Sequence, residues 1–150
     1  MNVSELRKPN VPVTAPDQPL SAAARVLCSQ HMGALVVIDP KEPKRRPIGI
    51  LTDRDIVRGQ LQRDADLYCL TVGDVMTREP LTLPADTELA EAIEDMNSRG
   101  VRRAPVVDAS GELTGMVTLD DLLPALAGEF AALAELMAAH PAEKRSPPGA

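Results

Sequence analysis

The chain has 150 residues, room for one domain or two closely joined halves, and its 44% hydrophobic and 25% charged residues suit a globular core. A net charge of −6 disfavours a nucleic-acid polymer or an anionic membrane as partner, and one Phe and one Tyr leave no aromatic platform for single-stranded bases. Two cysteines, Cys28 and Cys69, are too few for a disulfide scaffold and lack metal-ligand spacing. No apolar run nears the roughly 18 residues of a membrane span, and the Met-Asn-Val-Ser-Glu start lacks signal-peptide form, so the expected compartment is a reducing cytoplasm.

Taken in order, the chain opens on a short lead-in over 3–6 and an extended segment over 11–13. Asp17 then reads as the N-cap of a helix whose inner face is Leu20, Ala23, Ala24 and Leu27, the i, i+3, i+4, i+7 spacing of one buried stripe. Cys28 falls on this helix and is expected in the core. A short apolar strand over 35–38 precedes a Pro-rich loop carrying Lys41, Lys44, Arg45 and Arg46, read as solvated, and a second strand over 48–52 enters a helix.

From Val72 the pattern repeats. An offset of 69 lays Val3 on Val72, Asp17 on Asp86, Leu20 on Leu89, Val37 on Val106 and Asp39 on Asp108; past a loop three residues longer in the first half the offset is 66. The second helix, opened by Asp86, presents Leu89, Ala92, Ile93 and Met96, and strands follow over 104–107 and 113–118. One duplicated α/β unit, rather than a solenoid, accounts for two copies of so long a period. Pro124 lies too deep in the last helix for a first-turn proline, so a kink or break is expected there. Beyond Gly128 a further helical run (Phe130, Leu133, Leu136, Met137) has no counterpart in the first half and reads as core packing or a homodimer contact; residues 142–150 read as a disordered tail.

Each unit ends on Gly-x-x-Thr-x-x-Asp: Gly49, Thr52 and Asp55, then Gly115, Thr118 and Asp121. Such a strand-to-helix junction presents free backbone N–H groups and a positive dipole end that suit a phosphate. The aspartate one turn in offers two acceptors for a ribose cis-diol. The competing reading is a plain capping box, and the threonine can cap its helix while the site is empty.

The lead-in over 72–77, the segment Arg103-Ala104-Pro105-Val106-Val107-Asp108 and the paired Thr-x-x-Asp endings make the chain resemble a tandem CBS domain pair, the module named after cystathionine β-synthase. The resemblance covers about residues 3–127, with unit 1 over 3–63, unit 2 over 64–127 and an extra C-terminal helix over 128–141. It implies an α/β fold of two pseudo-symmetric β-α-β-β-α units packed sheet to sheet, with two clefts between them that hold AMP, ADP, ATP or S-adenosylmethionine in many members. By position it places ribose on Asp55 and Asp121 and phosphate on Thr52 and Thr118. It sets Ile50, Met32, Met76 and Leu81 around the base in one cleft, and Met116, Val101 and Pro12 in the other. Arg102 and Arg103 match a basic pair facing phosphates; their first-unit equivalents, Gly33 and Ala34, carry no charge, so the clefts are unequal.

No nucleophile–base set, Walker-type glycine loop or metal spacing stands out, so no enzyme is expected. Two functions remain: a regulatory module that binds an adenosine nucleotide and signals energy state through the placement of its units, or a ligand-free dimerising scaffold. Both allow a homodimer and an unidentified target protein.

Overall fold

The computed structural model describes residues 1–30 and 33–141; Met32 and the 142–150 tail lie outside the described residues. The first half comprises α1 (Val3–Leu6), β1 (Val13–Thr14), α2 (Leu20–Ser29), β2 (Ala34–Ile38), β3 (Pro47–Thr52) and α3 (Asp53–Arg63). The second comprises α4 (Val72–Val75), β4 (Thr77–Arg78), β5 (Leu83–Pro84), α5 (Leu89–Arg99), β6 (Arg103–Val107), β7 (Leu113–Thr118) and α6 (Leu119–Ala139). The duplication expected from the offsets therefore recurs element by element. One sheet runs β1-β2-β3-β4, the other β5-β6-β7, each with a parallel first pair and antiparallel pairing after it. Even the register irregularity repeats, between Val37 and Ile38 and between Val106 and Val107.

Alternation along the strands builds three apolar layers. Leu35 and Val37 point to the helices, where they join Leu20, Ala23, Leu27, Leu51 and Ile56. Ala104, Val106 and Val117 do the same in the second unit with Leu89, Ala92, Met96 and Leu122. The opposite faces meet each other: Val11, Ala34 and Val36 of one unit pack on Leu113 and Met116 of the other. The units thus pack sheet to sheet.

The lead-ins are exchanged between the units. Val72 and Met76 complete the core of the first unit, whereas Val3 completes that of the second. β4 pairs with β3, Gly49 opposite Arg78 and Ile50 opposite Thr77. The segment before β1 takes the matching place on β7: Lys8 N–H donates to the Met116 carbonyl at 2.9 Å, and Met116 N–H donates to the Lys8 carbonyl at 3.0 Å. Close approach at these edges needs glycine. A Cβ on Gly115 would lie 2.6 Å from the Lys8 carbonyl oxygen, and one on Gly49 would lie 3.0 Å from that of Thr77.

This exchange corrects the expected helix starts. Asp17 and Asp86 are not N-caps; α2 and α5 begin at Leu20 and Leu89, behind Pro19 and Glu88, neither of which caps through its side chain. The first amides are satisfied from a distance instead, Leu20 N–H donating to the Leu70 carbonyl at 2.9 Å and Leu89 N–H to the Met1 carbonyl at 3.1 Å. Three further expectations change. Cys28 is exposed rather than in the core, and Ile93 stands 37% exposed on the rim of α5. α6 passes through Pro124 and Gly128 as one helix of 21 residues. Pro124 withholds only the bond to the carbonyl of Asp120, an exposed residue whose oxygen solvent can satisfy.

Candidate functional site

The two Thr-x-x-Asp endings stand where an apolar strand turns directly into a helix. At the first, Thr52 N–H donates to Asp55 Oδ2 at 2.9 Å and the Thr52 hydroxyl donates to the same oxygen at 3.0 Å. Asp55 N–H donates back to Thr52 Oγ1 at 3.3 Å, closing a reciprocal capping box. At the second, Thr118 N–H and hydroxyl donate to Asp121 Oδ2 at 3.0 and 2.8 Å. Capping therefore engages Oδ2 in both units and leaves Oδ1 to face whatever lies across the seam.

What Oδ1 meets differs between the units. Asp55 Oδ1 accepts from the Thr77 hydroxyl at 2.9 Å and lies 3.7 Å from Arg58 Nη1, and its side chain is 7% exposed. Asp121 Oδ1 lies 3.3 Å from Lys8 Nζ, with 14% of the side chain exposed and a half-exposed lysine over it. Lys8 and Thr77 are the same position in the two copies, 69 residues apart. Sequence reasoning missed both: the offset pairs them with each other, but only the exchange of lead-ins sets each opposite the other unit's aspartate.

Arg103 opens β6 directly opposite Thr118 of β7, and the Arg102 carbonyl accepts from Leu119 N–H at 2.8 Å. Both arginines thus belong to the wall beside the start of α6. Arg103 also reaches the first unit, where a Cβ on Gly33 (φ +67°) would come within 3.1 Å of its Nη1. Glycine at 33, where the repeat would place the counterpart of Arg102, leaves room for that guanidinium.

The apolar candidates scatter more. Ile50 pairs with Thr77 and packs on the layer between the sheets; Met116, bridged to Lys8, is wholly buried in that layer. Met76 belongs to the first core and Leu81 flanks the second, so these two do not share a core. Pro12 is half-buried, its carbonyl accepting from Val36 N–H at 3.1 Å. Val101 lines a hollow of about 330 Å³ with Ile93, Met96, Leu119 and Leu122, on α5 and the first turn of α6. A second hollow of about 320 Å³ lies between α2 and β1–β2, lined by Thr14, Gln18, Val26 and Ile38 but by neither Thr52 nor Asp55.

Comparison with known proteins fits this geometry. The chain matches the CBS domain family over residues 3–61 and again over 72–128. An uncharacterised 17.7 kDa protein of Acidianus ambivalens is 35% identical over 124 residues, covering 83% of this chain and 72% of that one. Among solved structures, a conserved CBS domain protein of Thermoplasma acidophilum superposes with a TM-score of 0.75 at 23% identity, over 83% of this chain and 68% of the other. CBSX2, crystallised in complex with AMP, gives a TM-score of 0.71 at 28% identity, over 85% of this chain and 96% of its own.

Proposed function

The chain belongs to the CBS-domain family, and from that premise we propose that it is a regulatory module binding an adenosine nucleotide at the seam between its units, through the Asp121 side. The observation that carries the reading is the placement of Asp121 Oδ1. It stands where one unit's strand-to-helix turn meets the other unit's lead-in, less enclosed than Asp55 and next to Arg102 and Arg103. The AMP complex of CBSX2, a relative of the same fold, supports an adenosine ligand.

In this reading Asp121 accepts from the ribose hydroxyls once Lys8 yields Oδ1. Thr118, Arg102 and Arg103 face the phosphate, and half-buried Pro12 lies under the base, with Met116 wholly buried in the layer behind it. While Met76 is taken by the first core and Leu81 by the second, Thr52 and Asp55, with Ile50, form the second, tighter position. Its carboxylate is already engaged by Thr77, so it fills later or stays closed. Binding would shift the balance between two placements of the units, or of a homodimer, and a target protein would read that shift as a change in affinity.

Calorimetry of the full chain against AMP, ADP, ATP and S-adenosylmethionine tests the reading. Asp121→Asn keeps a capping acceptor but loses the charge, and it should weaken AMP roughly tenfold to a hundredfold, the effect of losing one charge-assisted hydrogen bond. Asp55→Asn should change affinity little. No heat with any of the four ligands would favour the ligand-free scaffold, for which the self-satisfied Asp55 already speaks.

A further inference from the structure

α6 is longer than the fold needs. Its counterpart α3 has 11 residues, whereas α6 has 21, so about ten residues run past the body of the unit, an overhang of roughly 15 Å. The stripe that seats α6 on its own unit is Leu122, buried, and Leu126, packed on the second core. Beyond these the apolar face continues with nothing over it among the described residues. Leu123 is 62% exposed, Phe130 65%, Leu133 52%, Leu136 57% and Met137 67%.

The order of these side chains is specific. Leu123, Phe130, Leu133 and Met137 follow one another at intervals of seven, three and four, the heptad seam of a coiled coil whose intervening position, Leu126, is taken by the second core. Alanines at 127, 131, 134 and 138 flank the seam and let a second helix approach closely. We propose that this seam is an interface with a second copy of the same chain, the overhangs pairing knobs into holes to make a dimer through the C-terminal helix.

Three observations favour a second copy over other occupants. A heptad seam is self-complementary, so the same residues on a twofold mate fill the same holes. The five exposed side chains leave on the order of 500 Å² per copy, and a symmetric pair therefore buries about 1,000 Å², the threshold of a specific interface. A bilayer fits worse. By length and composition α6 could cross a bilayer, but Leu122 and Leu126 are held in the second core, and the remainder carries Glu129 and Glu135 with no Lys or Arg. A partner with a basic groove has nothing in the seam to pair with, since the seam is uncharged.

Mass in solution by light scattering decides it, using the full chain at about 50 μM and single substitutions at exposed positions that leave both cores untouched. Wild type should be dimeric. Leu133→Glu should be monomeric with an unchanged circular dichroism spectrum, its dimer dissociation constant raised at least a hundredfold. Glu135→Ala, on the outer side of the same helix, should remain dimeric. A monomeric wild type, a Leu133→Glu that stays dimeric, or wild type that sediments with phosphatidylcholine–phosphatidylglycerol vesicles would each overturn the proposal. None of these outcomes bears on nucleotide heat, which is read separately through Asp121.

Discussion

Lys8 Nζ stands 3.3 Å from Asp121 Oδ1, in the place where the other repeat sets the Thr77 hydroxyl 2.9 Å from Asp55 Oδ1. One position of the duplicated unit is thus a neutral donor in one copy and a cation in the other, and the two carboxylates differ accordingly. A half-exposed ion pair contributes little to stability, about 0–1 kcal/mol. Its weight falls on what else reaches that oxygen. Lys8→Met should leave the urea midpoint nearly unchanged and tighten AMP binding several-fold by calorimetry, because the ribose no longer displaces an ammonium. Weaker binding would mean that Lys8 serves the phosphate instead.

Asp55 has more structural work than Asp121. It is buried, caps α3 and ties β4 to the first unit through Thr77. Asp55→Ala should therefore cost about 2 kcal/mol, a lost cap plus a stranded hydroxyl, against about 1 kcal/mol for Asp121→Ala. Urea unfolding of the two variants gives the comparison directly.

The glycines opposite the lead-ins offer a second test. Ala at Gly115 would press its methyl against the Lys8 carbonyl at 2.6 Å and Arg7 Cδ at 2.8 Å, and the backbone partner cannot swing away. Gly115→Ala should destabilise by about 1–3 kcal/mol, and faster hydrogen exchange at the Lys8 and Met116 amides would locate the loss. Gly100→Ala, with φ at +63° but open space around it, should cost only about 1 kcal/mol and leave those amides protected.

Acid should act through two turn carboxylates. Asp108 accepts from the Ser110 hydroxyl at 2.6 Å and from the Ser110 and Glu112 amides, and these bonds, the hydroxyl's first, hold it below 3.8. Asp74 is held down likewise by the Thr71 amide. A carboxyl depressed in the folded state stabilises fully above its unfolded value, and that contribution fades as pH falls through the folded one. Melting temperature should thus hold above about pH 5 and drop below pH 4, with a shallower drop in Asp108→Asn, whose stability at pH 7 is already lower.

The duplication and most of both helix faces were legible in the sequence because they rest on local periodicity, whereas the sheet-to-sheet packing came only from the resemblance to a CBS pair. Leu20, Ala23 and Leu27 recur at Leu89, Ala92 and Met96, and strand alternation sorts Val36 from Val37. What escaped reading depends on distant chain. The starts of α2 and α5 are set by the carbonyls of Leu70 and Met1 rather than by Asp17 and Asp86. Cys28 looked like core because its helix is apolar, yet it sits off the stripe that meets the sheet. Lys8 and Thr77 become site residues only once the lead-ins cross, a fact of topology that no single stretch of residues announces.

That crossing means neither repeat is a foldable half. A fragment ending near residue 63 would forfeit Leu70, Val72 and Met76 from its own interior, and the remainder would arrive without Val3. Melting should therefore occur as a single cooperative event. In the proposed reading, a nucleotide that displaces Lys8 would pull on the very thread that begins the opposite half, so each carboxylate is tied through the backbone to the interior of the other lobe.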